Sequence, residues 1–195
     1  VHDLTDTPDN LLDLYAECLK NGTQELPIMF ASTSKITFPG AGVAAMAAGP
    51  ETIQVLREHF SFQTIGPDKL NQLRHIAFLK DKYGVRGQML RHRRILEPKF
   101  QTVLRKLESE LGGTGTAEWT HPNGGYFVSV DVMPGCAKRV VQLCKEAGVT
   151  LTGAGATFPY GKDPKDSNIR VAPTYPPVSE LETAMDLFCL SVRLA

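Results

Sequence analysis

A long helical pattern in the middle of the chain constrains the fold more than any other feature. Apolar residues recur on one helix face through residues 88–111, and the run Gly112-Gly113-Thr114-Gly115 predicts where the helix ends. Pro98 lies within the pattern and is expected to kink the helix, because proline lacks an N–H and clashes with the preceding turn. Since the apolar stripe must be covered, the sequence predicts a helix that connects two structured regions.

The residues before this helix predict part of an α/β domain. The apolar run Leu26-Pro27-Ile28-Met29-Phe30-Ala31 is typical of a strand buried on both faces, and residues 40–48 predict a second buried strand. Proline favours the first helical turn, so three helices are expected. They begin at Thr7-Pro8, at Pro50 and at Pro67. The third helix is expected to turn Leu70, Leu73 and Ala77 inward.

The residues after the helix predict a smaller α+β domain. Residues 125–132 alternate between apolar and polar side chains, as a half-buried strand does, and residues 149–152 and 168–172 are predicted as further strands. Ser179 and Glu182 form a capping box that predicts a final helix. The fold class is therefore α/β, in three parts. They are residues 1–87, an α/β part; residues 88–113, the connecting helix; and residues 114–195, a small C-terminal domain.

Composition argues against several classes of partner. Lys plus Arg and Asp plus Glu both number 21, so no net charge favours nucleic acid or an anionic membrane. The longest weakly polar run, residues 41–49, is far shorter than the ~20 residues of a membrane-spanning helix, and no signal-peptide pattern is visible. The four cysteines form no C-x-x-C pair, and the five histidines show no metal-ligand spacing. We therefore expect buried thiols, no metal site and a cytoplasmic protein.

Lys35 is the candidate catalytic residue. It follows an apolar strand and precedes Pro39-Gly40, and in open α/β sheets ligands bind beyond the strand ends. A lysine attacks an aldehyde only in its neutral form, which burial or nearby positive charge favours. Ser32, Ser34 and Thr37 add hydroxyl donors of the kind that bind phosphate. The alternative is an exposed loop lysine among ordinary turn hydroxyls.

Arg170 is the candidate substrate-binding residue. It lies between Ile169 and Val171 in a predicted strand, where a buried guanidinium would need a partner. Its planar fork matches a carboxylate, so either a substrate carboxylate or a protein Asp or Glu is expected to pair with it. The basic cluster Arg91-His92-Arg93-Arg94 is expected to be a solvated helix face, with a site for a second substrate carboxylate or a partner chain as the alternative.

Three segments, in order along the chain, carry a resemblance to a known family. They are Ser32-Thr33-Ser34-Lys35 followed by Pro39-Gly40; Pro122-Asn123-Gly124-Gly125-Tyr126-Phe127; and Asn168-Ile169-Arg170-Val171-Ala172-Pro173. Together they resemble class I/II aminotransferases, which are pyridoxal-phosphate enzymes of fold type I, over essentially the whole chain. Residues 30–44, with Thr157-Phe158-Pro159-Tyr160-Gly161, are most similar to a bacterial aspartate aminotransferase branch related to MocR-type domains.

The resemblance implies a role for each candidate residue. Lys35 would form a Schiff base with pyridoxal 5'-phosphate and would later act as the base that moves a proton. Ser32 and Ser34 would bind the cofactor phosphate, and Arg170 would hold the α-carboxylate of the substrate. The motif Gly124-Gly125-Tyr126-Phe127 would shape the small domain near the substrate. The implied reaction moves an amino group between an amino acid such as aspartate and a 2-oxo acid.

The resemblance also implies what the chain lacks and what it pairs with. Most relatives carry a phosphate-binding arginine about eight residues after the lysine, where this sequence has Ala41-Gly42-Val43. The partners of the pyridine nitrogen and the ring oxygen belong on a strand before Val1. The chain would thus be the C-terminal half of an enzyme, with residues 1–87 as the C-terminal part of its large cofactor-binding domain, and inactive without the N-terminal half. A homodimer is expected, with residues 64–69 approaching the phosphate across its interface.

Two alternatives to the aminotransferase stay open at this point. The chain could be the effector-sensing domain of a MocR-type transcription regulator, in which an aminotransferase-like domain follows a DNA-binding helix-turn-helix. The same fold could also run another pyridoxal-phosphate reaction, such as β-elimination or decarboxylation. An upstream basic helix-turn-helix would favour the regulator, and product analysis with aspartate and 2-oxoglutarate would separate the reactions.

Overall fold

The computed structural model describes residues 4–7 and 9–195, and the chain divides into two compact units. The N-terminal unit is residues 9–90, and the C-terminal unit is residues 91–195 together with 4–7. The helices are α1 Leu14–Lys20, α2 Pro50–Gln63, α3 Lys69–Leu79, α4 Lys82–Leu111, α5 Ala137–Glu146 and α6 Val178–Leu194. The strands are β1 Met29–Ser32, β2 Ala44–Ala47, β3 Ala117–Trp119, β4 Val128–Val132 and β5 Asn168–Val171.

Helix α4 is the predicted connecting helix, and it begins earlier than the sequence pattern indicates. The Asp81 carboxylate caps it, accepting hydrogen bonds from the amides of Tyr83 at 2.8 Å and Gly84 at 3.0 Å. A Cβ on Gly84 would lie 1.6 Å from the Leu79 carbonyl oxygen, so the first turn needs a glycine there. Pro98 lies inside the helix as predicted, and the kink expected there stays a prediction. Within the described residues, no helix combines the length and hydrophobicity needed to span a membrane.

The core of the C-terminal unit lies between one face of an antiparallel sheet and helices α4, α5 and α6. The strand order is β3-β4-β5, and β4 pairs with β5 so that Val130 lies opposite Ile169 and Ser129 lies opposite Arg170. The predicted alternation is confirmed, because Val128, Val130 and Val132 are buried in the core while the residues between them are not. The helices add buried apolar side chains to the same core. They include Phe100, Val103, Leu107, Val140, Cys144, Leu181, Met185 and Phe188.

Two predictions for the C-terminal unit are wrong. Helix α6 begins at Val178 with Pro177 as its N-cap, so Ser179 lies inside the first turn and cannot cap it, and the predicted capping box does not form. The Glu182 carboxylate accepts a hydrogen bond from Arg105 at 2.7 Å. Residues 149–152 form no strand. The amide of Val149 donates to the carbonyl of Cys144 at 2.8 Å and so closes α5, after Gly148 has adopted a left-handed φ of 89°.

The N-terminal unit contains an antiparallel pair, β1 with β2, and helices α1 to α3. Burial of these strands was predicted and is wrong for this chain: all of β1 is exposed, and Phe30 is 77% exposed, because β1 has a ladder partner on one side only among the described residues. Helix α1 begins at Leu14, where Asp13 accepts from the Ala16 amide. The predicted start at Thr7-Pro8 is therefore wrong, although Pro8 itself lies outside the described residues.

Helix α3 also departs from the prediction. Leu70 and Leu73, expected inward, are 69% and 59% exposed, whereas Asn71 and His75 are buried. Asp68 starts the helix by accepting a hydrogen bond from the Asn71 amide at 3.0 Å. The face of α3 that packs against the rest of the N-terminal unit is thus polar, and this arrangement bears directly on Lys35.

Candidate active site

Lys35 lies in a tight turn, residues 33–37, which we call the Lys35 turn. The carbonyl of Thr33 accepts hydrogen bonds from the amides of Ile36 and Thr37, each at 3.0 Å. Thr33 also bonds Val43 twice, donating its amide to the Val43 carbonyl at 2.8 Å and accepting the Val43 amide on its hydroxyl at 2.9 Å. These bonds fix the turn at the end of the β1–β2 ladder. Lys35 itself is exposed in this chain.

Two serine hydroxyls stand beside the lysine. The Ser32 hydroxyl donates to the Ser34 hydroxyl at 3.1 Å, and both residues are exposed. Gly42 approaches them closely, since a Cβ there would lie 3.2 Å from Ser34 Oγ and 3.3 Å from its Cα. The segment that stands where relatives are expected to carry an arginine is therefore main chain packed on a serine. An amine and two clustered hydroxyls make a donor set that suits a compound with an aldehyde and a phosphate.

Two residues of α3 hold this region, and the sequence argument missed them. The ring of His75 lies within hydrogen-bond distance of the hydroxyls of Thr33 and Thr37, and the Asn71 amide group donates to the carbonyl of Ala41 at 2.8 Å. The sequence did contain a signal for them, since Asn71 and His75 are four residues apart and two polar side chains therefore share one face of the helix. It was overlooked because His75 was judged only as a metal ligand.

Arg170 lies in the C-terminal unit, and one of its hydrogen-bond donors has no partner among residues 4–7 and 9–195. Its Nε is buried and has no hydrogen-bond partner, and its guanidinium carbon lies 4.5 Å from the centroid of the Phe127 ring. In the described part of the chain no Asp or Glu forms an ion pair with it, so the protein carboxylate considered from the sequence is absent there. A buried donor without a partner is costly and suits an incoming acceptor. Phe127 comes from the motif that the sequence argument placed near the substrate.

A polar network supports the strand that carries Arg170. The Asn168 amide group donates to the Ser129 hydroxyl at 2.9 Å and to the Asp131 carboxylate at 3.0 Å, and its oxygen accepts from the Thr157 hydroxyl at 2.7 Å. Asn168 is 9% exposed and lies two residues before Arg170, on the same face of β5. The network therefore fixes both the strand and the loop that contains Thr157.

The basic cluster on α4 is partly structural. Arg93 forms ion pairs with Asp6 at 2.9 Å and with Glu97 at 3.2 Å, and its side chain is only 17% exposed. Burial lowers the pKa of the neighbouring His92. The expectation of a fully solvated face is thus wrong for Arg93, which ties residues 4–7 to α4. No cluster of three or more metal-ligand side chains occurs in residues 4–7 and 9–195.

Comparison with known proteins places these motifs in a family. A family model described as aspartate amino-transferase matches residues 1–195. A candidate aminotransferase of Mycolicibacterium smegmatis is 50% identical over 195 residues, which are 100% of this chain and 46% of that protein. The aspartate aminotransferase of Corynebacterium glutamicum is 46% identical over 100% of this chain and 45% of its own length.

Solved structures agree with the fold. The crystal structure of an aspartate transaminase from Corynebacterium glutamicum matches 100% of this chain and 46% of its own chain, at 45% identity and a TM-score of 0.93. That of a candidate aminotransferase from Corynebacterium diphtheriae matches 100% of this chain and 48% of its own, at 47% identity and a TM-score of 0.94. The chain thus spans somewhat less than half the length of the relatives it matches, and the predicted α/β fold class is confirmed. The chain belongs to the aspartate aminotransferase family.

Proposed function

We propose that the protein containing this chain is an aminotransferase that uses pyridoxal 5'-phosphate to move an amino group between aspartate and a 2-oxo acid. The observation that carries the proposal is the Lys35 turn, in which an exposed amine lies one residue after Ser34 and three after Ser32. Family membership supports the reaction class, and the aspartate aminotransferase of Corynebacterium glutamicum supports the choice of substrate.

The Lys35 turn and Ser32, the last residue of β1, would bind the cofactor. The hydroxyls of Ser32 and Ser34 would donate to its phosphate, and the Lys35 amine would condense with its aldehyde carbon, with the aldehyde oxygen leaving as water. Bound pyridoxal phosphate supplies an electron sink that makes the Cα–H bond of an attached amino acid acidic. Once an amino acid displaces it, the free Lys35 amine would take the proton from Cα and return it on the neighbouring carbon, a general acid–base role.

Arg170 would bind the substrate α-carboxylate. The guanidinium fork suits two parallel hydrogen bonds to a carboxylate, and the unpartnered Nε is the donor that such a ligand would satisfy. Contact with the Phe127 ring restricts the orientation of the guanidinium, so less entropy would be lost when the substrate binds. The same two residues would keep water away from one side of the carboxylate.

Covalent labelling tests the proposal. The full-length protein, incubated with pyridoxal phosphate and reduced with borohydride, should carry the cofactor mass on the peptide that contains Lys35. Lys35→Ala should abolish that label and reduce glutamate formation from aspartate and 2-oxoglutarate by at least about a thousandfold. Lys145→Ala, at an exposed lysine of α5, is the matched control and should change neither readout. Cofactor fixed on another lysine would overturn the assignment.

We further propose a homodimer in the cytoplasm. Helices α2 and α3 leave large apolar side chains exposed, as an interface surface does; they include Phe62, Leu70, Leu73 and Ile76. All four cysteines are free thiols, which suits a reducing compartment. Residues 64–69 are exposed and comprise the connection between these helices and the first residue of α3. We propose that they reach the phosphate of the partner subunit. Sedimentation of the full-length protein as a monomer at micromolar concentration would argue against the dimer.

A further inference from the structure

We propose that His75 is a positioning residue for Lys35: from helix α3 it holds the two threonines that flank the lysine and so fixes the Lys35 turn. The inference rests on the proposed function, because it gives the turn a catalytic lysine. It concerns residues that are all within the N-terminal unit. His75 itself is 6% exposed, so its ring is shielded from water and depends on protein partners.

The ring nitrogen Nε2 faces both threonines. It lies 3.1 Å from the Thr33 hydroxyl and 2.8 Å from the Thr37 hydroxyl. These residues stand two before and two after Lys35, and the Thr37 hydroxyl also donates to the Thr33 carbonyl at 3.1 Å. A single ring atom therefore connects the two ends of the turn.

The other ring nitrogen determines where the proton lies. Nδ1 is 2.9 Å from the carbonyl oxygen of Asn71, which can only accept, so Nδ1 carries the hydrogen. In this tautomer Nε2 is an acceptor. The Thr33 hydroxyl already accepts the amide of Val43, which leaves its own proton to be donated to Nε2. The Thr37 hydroxyl has a single proton, which lies within reach of both Nε2 at 2.8 Å and the Thr33 carbonyl at 3.1 Å and is shared between them. Both ring nitrogens thus have partners, and the tautomer is assigned from these contacts.

Neighbouring contacts hold the ring in place. Phe38 packs edge-on against His75 with ring centroids 5.4 Å apart, and it also contacts Phe78 at 5.4 Å. The Asn71 side chain donates to the carbonyl of Ala41, which lies between Gly40 and β2. Positions 71, 75 and 78 form one stripe along α3, so the helix presents a continuous surface to residues 33–42. Burying polar side chains is unfavourable unless they are bonded. His75 bonds this segment through its ring and Asn71 through its side-chain NH₂ group, whereas Asn71 Oδ1 is buried without a partner in the described part of the chain.

Hydrogen exchange tests the proposal in the cofactor-free full-length protein. The amides of Ile36, Thr37 and Val43 are bonded within the turn, and their exchange reports its opening. His75→Phe keeps a ring against Phe38 but removes both nitrogens, and it should speed exchange in peptides covering residues 33–43 by about tenfold or more, the equivalent of one or two lost hydrogen bonds.

Rescue and control variants separate positioning from general damage. His75→Gln restores an acceptor near the position of Nε2 and should bring exchange back to within about threefold of the unmodified protein. His59→Phe, at an exposed histidine of α2, should leave it unchanged. In the cofactor-loaded protein, His75→Phe should lower kcat more than it raises KM for aspartate, since it would displace Lys35 and leave the carboxylate site intact.

The outcomes distinguish this proposal from the proposed function. Unchanged exchange in both His75→Phe and Thr37→Val, with the cofactor still fixed on Lys35, would overturn the positioning role while the function stands. Faster exchange in these variants, with no cofactor fixed on Lys35 of the unmodified protein, would overturn the proposed function. His75 would then stabilise the turn without a catalytic consequence. If His75→Phe does not fold, hydrogen exchange in Thr37→Val tests the positioning role instead. The ¹⁵N spectrum of the His75 ring in the unmodified protein tests the tautomer, and a proton on Nε2 instead of Nδ1 would refute the assignment.

Discussion

Replacing Arg170 by methionine should separate a binding role from a structural one, because the structure predicts opposite effects on stability and affinity. The variant removes a buried Nε–H that has no partner, which costs the folded state about 1–3 kcal/mol. It also removes the contact with the Phe127 ring, worth about 0.5–1 kcal/mol at a partly exposed site. The free energy of unfolding should therefore rise by between about 0 and about 2.5 kcal/mol.

Affinity for a dicarboxylate should fall in the same variant. Losing one partner of a desolvated charge pair costs about 2–5 kcal/mol, so binding should weaken by roughly 30-fold to several thousandfold. Arg170→Lys should recover only part of this, since an ammonium keeps the charge but cannot form two parallel hydrogen bonds. An intact fold together with weaker binding would show that Arg170 serves to bind the ligand and not to stabilise the fold.

Two assays measure these effects. Urea unfolding of the purified chain can be followed through Trp119, its one tryptophan, which lies on β3 of the same sheet as Arg170. Titration calorimetry of succinate into the cofactor-loaded full-length protein gives the affinity. Arg105→Met is the matched control: its exposed pair with Glu182 should contribute under about 1 kcal/mol, and affinity should not change. Loss of more than about 1.5 kcal/mol of stability in Arg170→Met with unchanged affinity would refute the reasoning.

Three further predictions concern pH and activity. Burial, reinforced by the charge of Glu110, raises the pKa of the Cys189 thiol from 9.0 to about 12, so its stabilisation is complete below pH 9 and is lost as pH rises toward 12. Urea midpoints should fall across that range, and less steeply in Cys189→Ala. Hydrogen bonds from backbone amides, foremost that of Asn168, lower the pKa of Asp163, so its contribution is present above about pH 4 and lost on acidification. Asp163→Asn should remove that acid-sensitive part of the urea midpoint. The 195-residue chain alone should form no glutamate from aspartate and 2-oxoglutarate, and measurable turnover by it would contradict the prediction.

The C-terminal unit was largely predictable because its elements pack against each other within the chain. The alternation of β4 and the apolar stripes of α4 and α6 determine which side chains enter one core, and the structure buries them accordingly. The exceptions are local. Helix α6 begins one residue before Ser179, so Ser179 cannot cap it, and the Val149 amide closes α5 instead of entering a ladder.

The N-terminal unit was predicted less well for a different reason. Apolar runs such as residues 26–31 indicate that a segment becomes buried, but they do not say by which part of a protein. In this chain β1 has one ladder partner among the described residues, and its side chains stay exposed. The position of Lys35 after the strand was nevertheless found, because strand ends and Pro-Gly turns are local signals.

Helix α3 shows where a hydrophobic pattern gives the wrong face. Such a pattern assumes that the surface next to the helix is apolar, so it assigned Leu70 and Leu73 inward. The surface next to α3 is a turn that presents two threonine hydroxyls and the carbonyl of Ala41, and only polar side chains can satisfy these groups. Asn71 and His75 do so, and the leucines face outward. A polar pair four residues apart on a helix, in a chain that also holds a Ser/Thr-rich turn around a lysine, is therefore a signal for a helix that positions the turn.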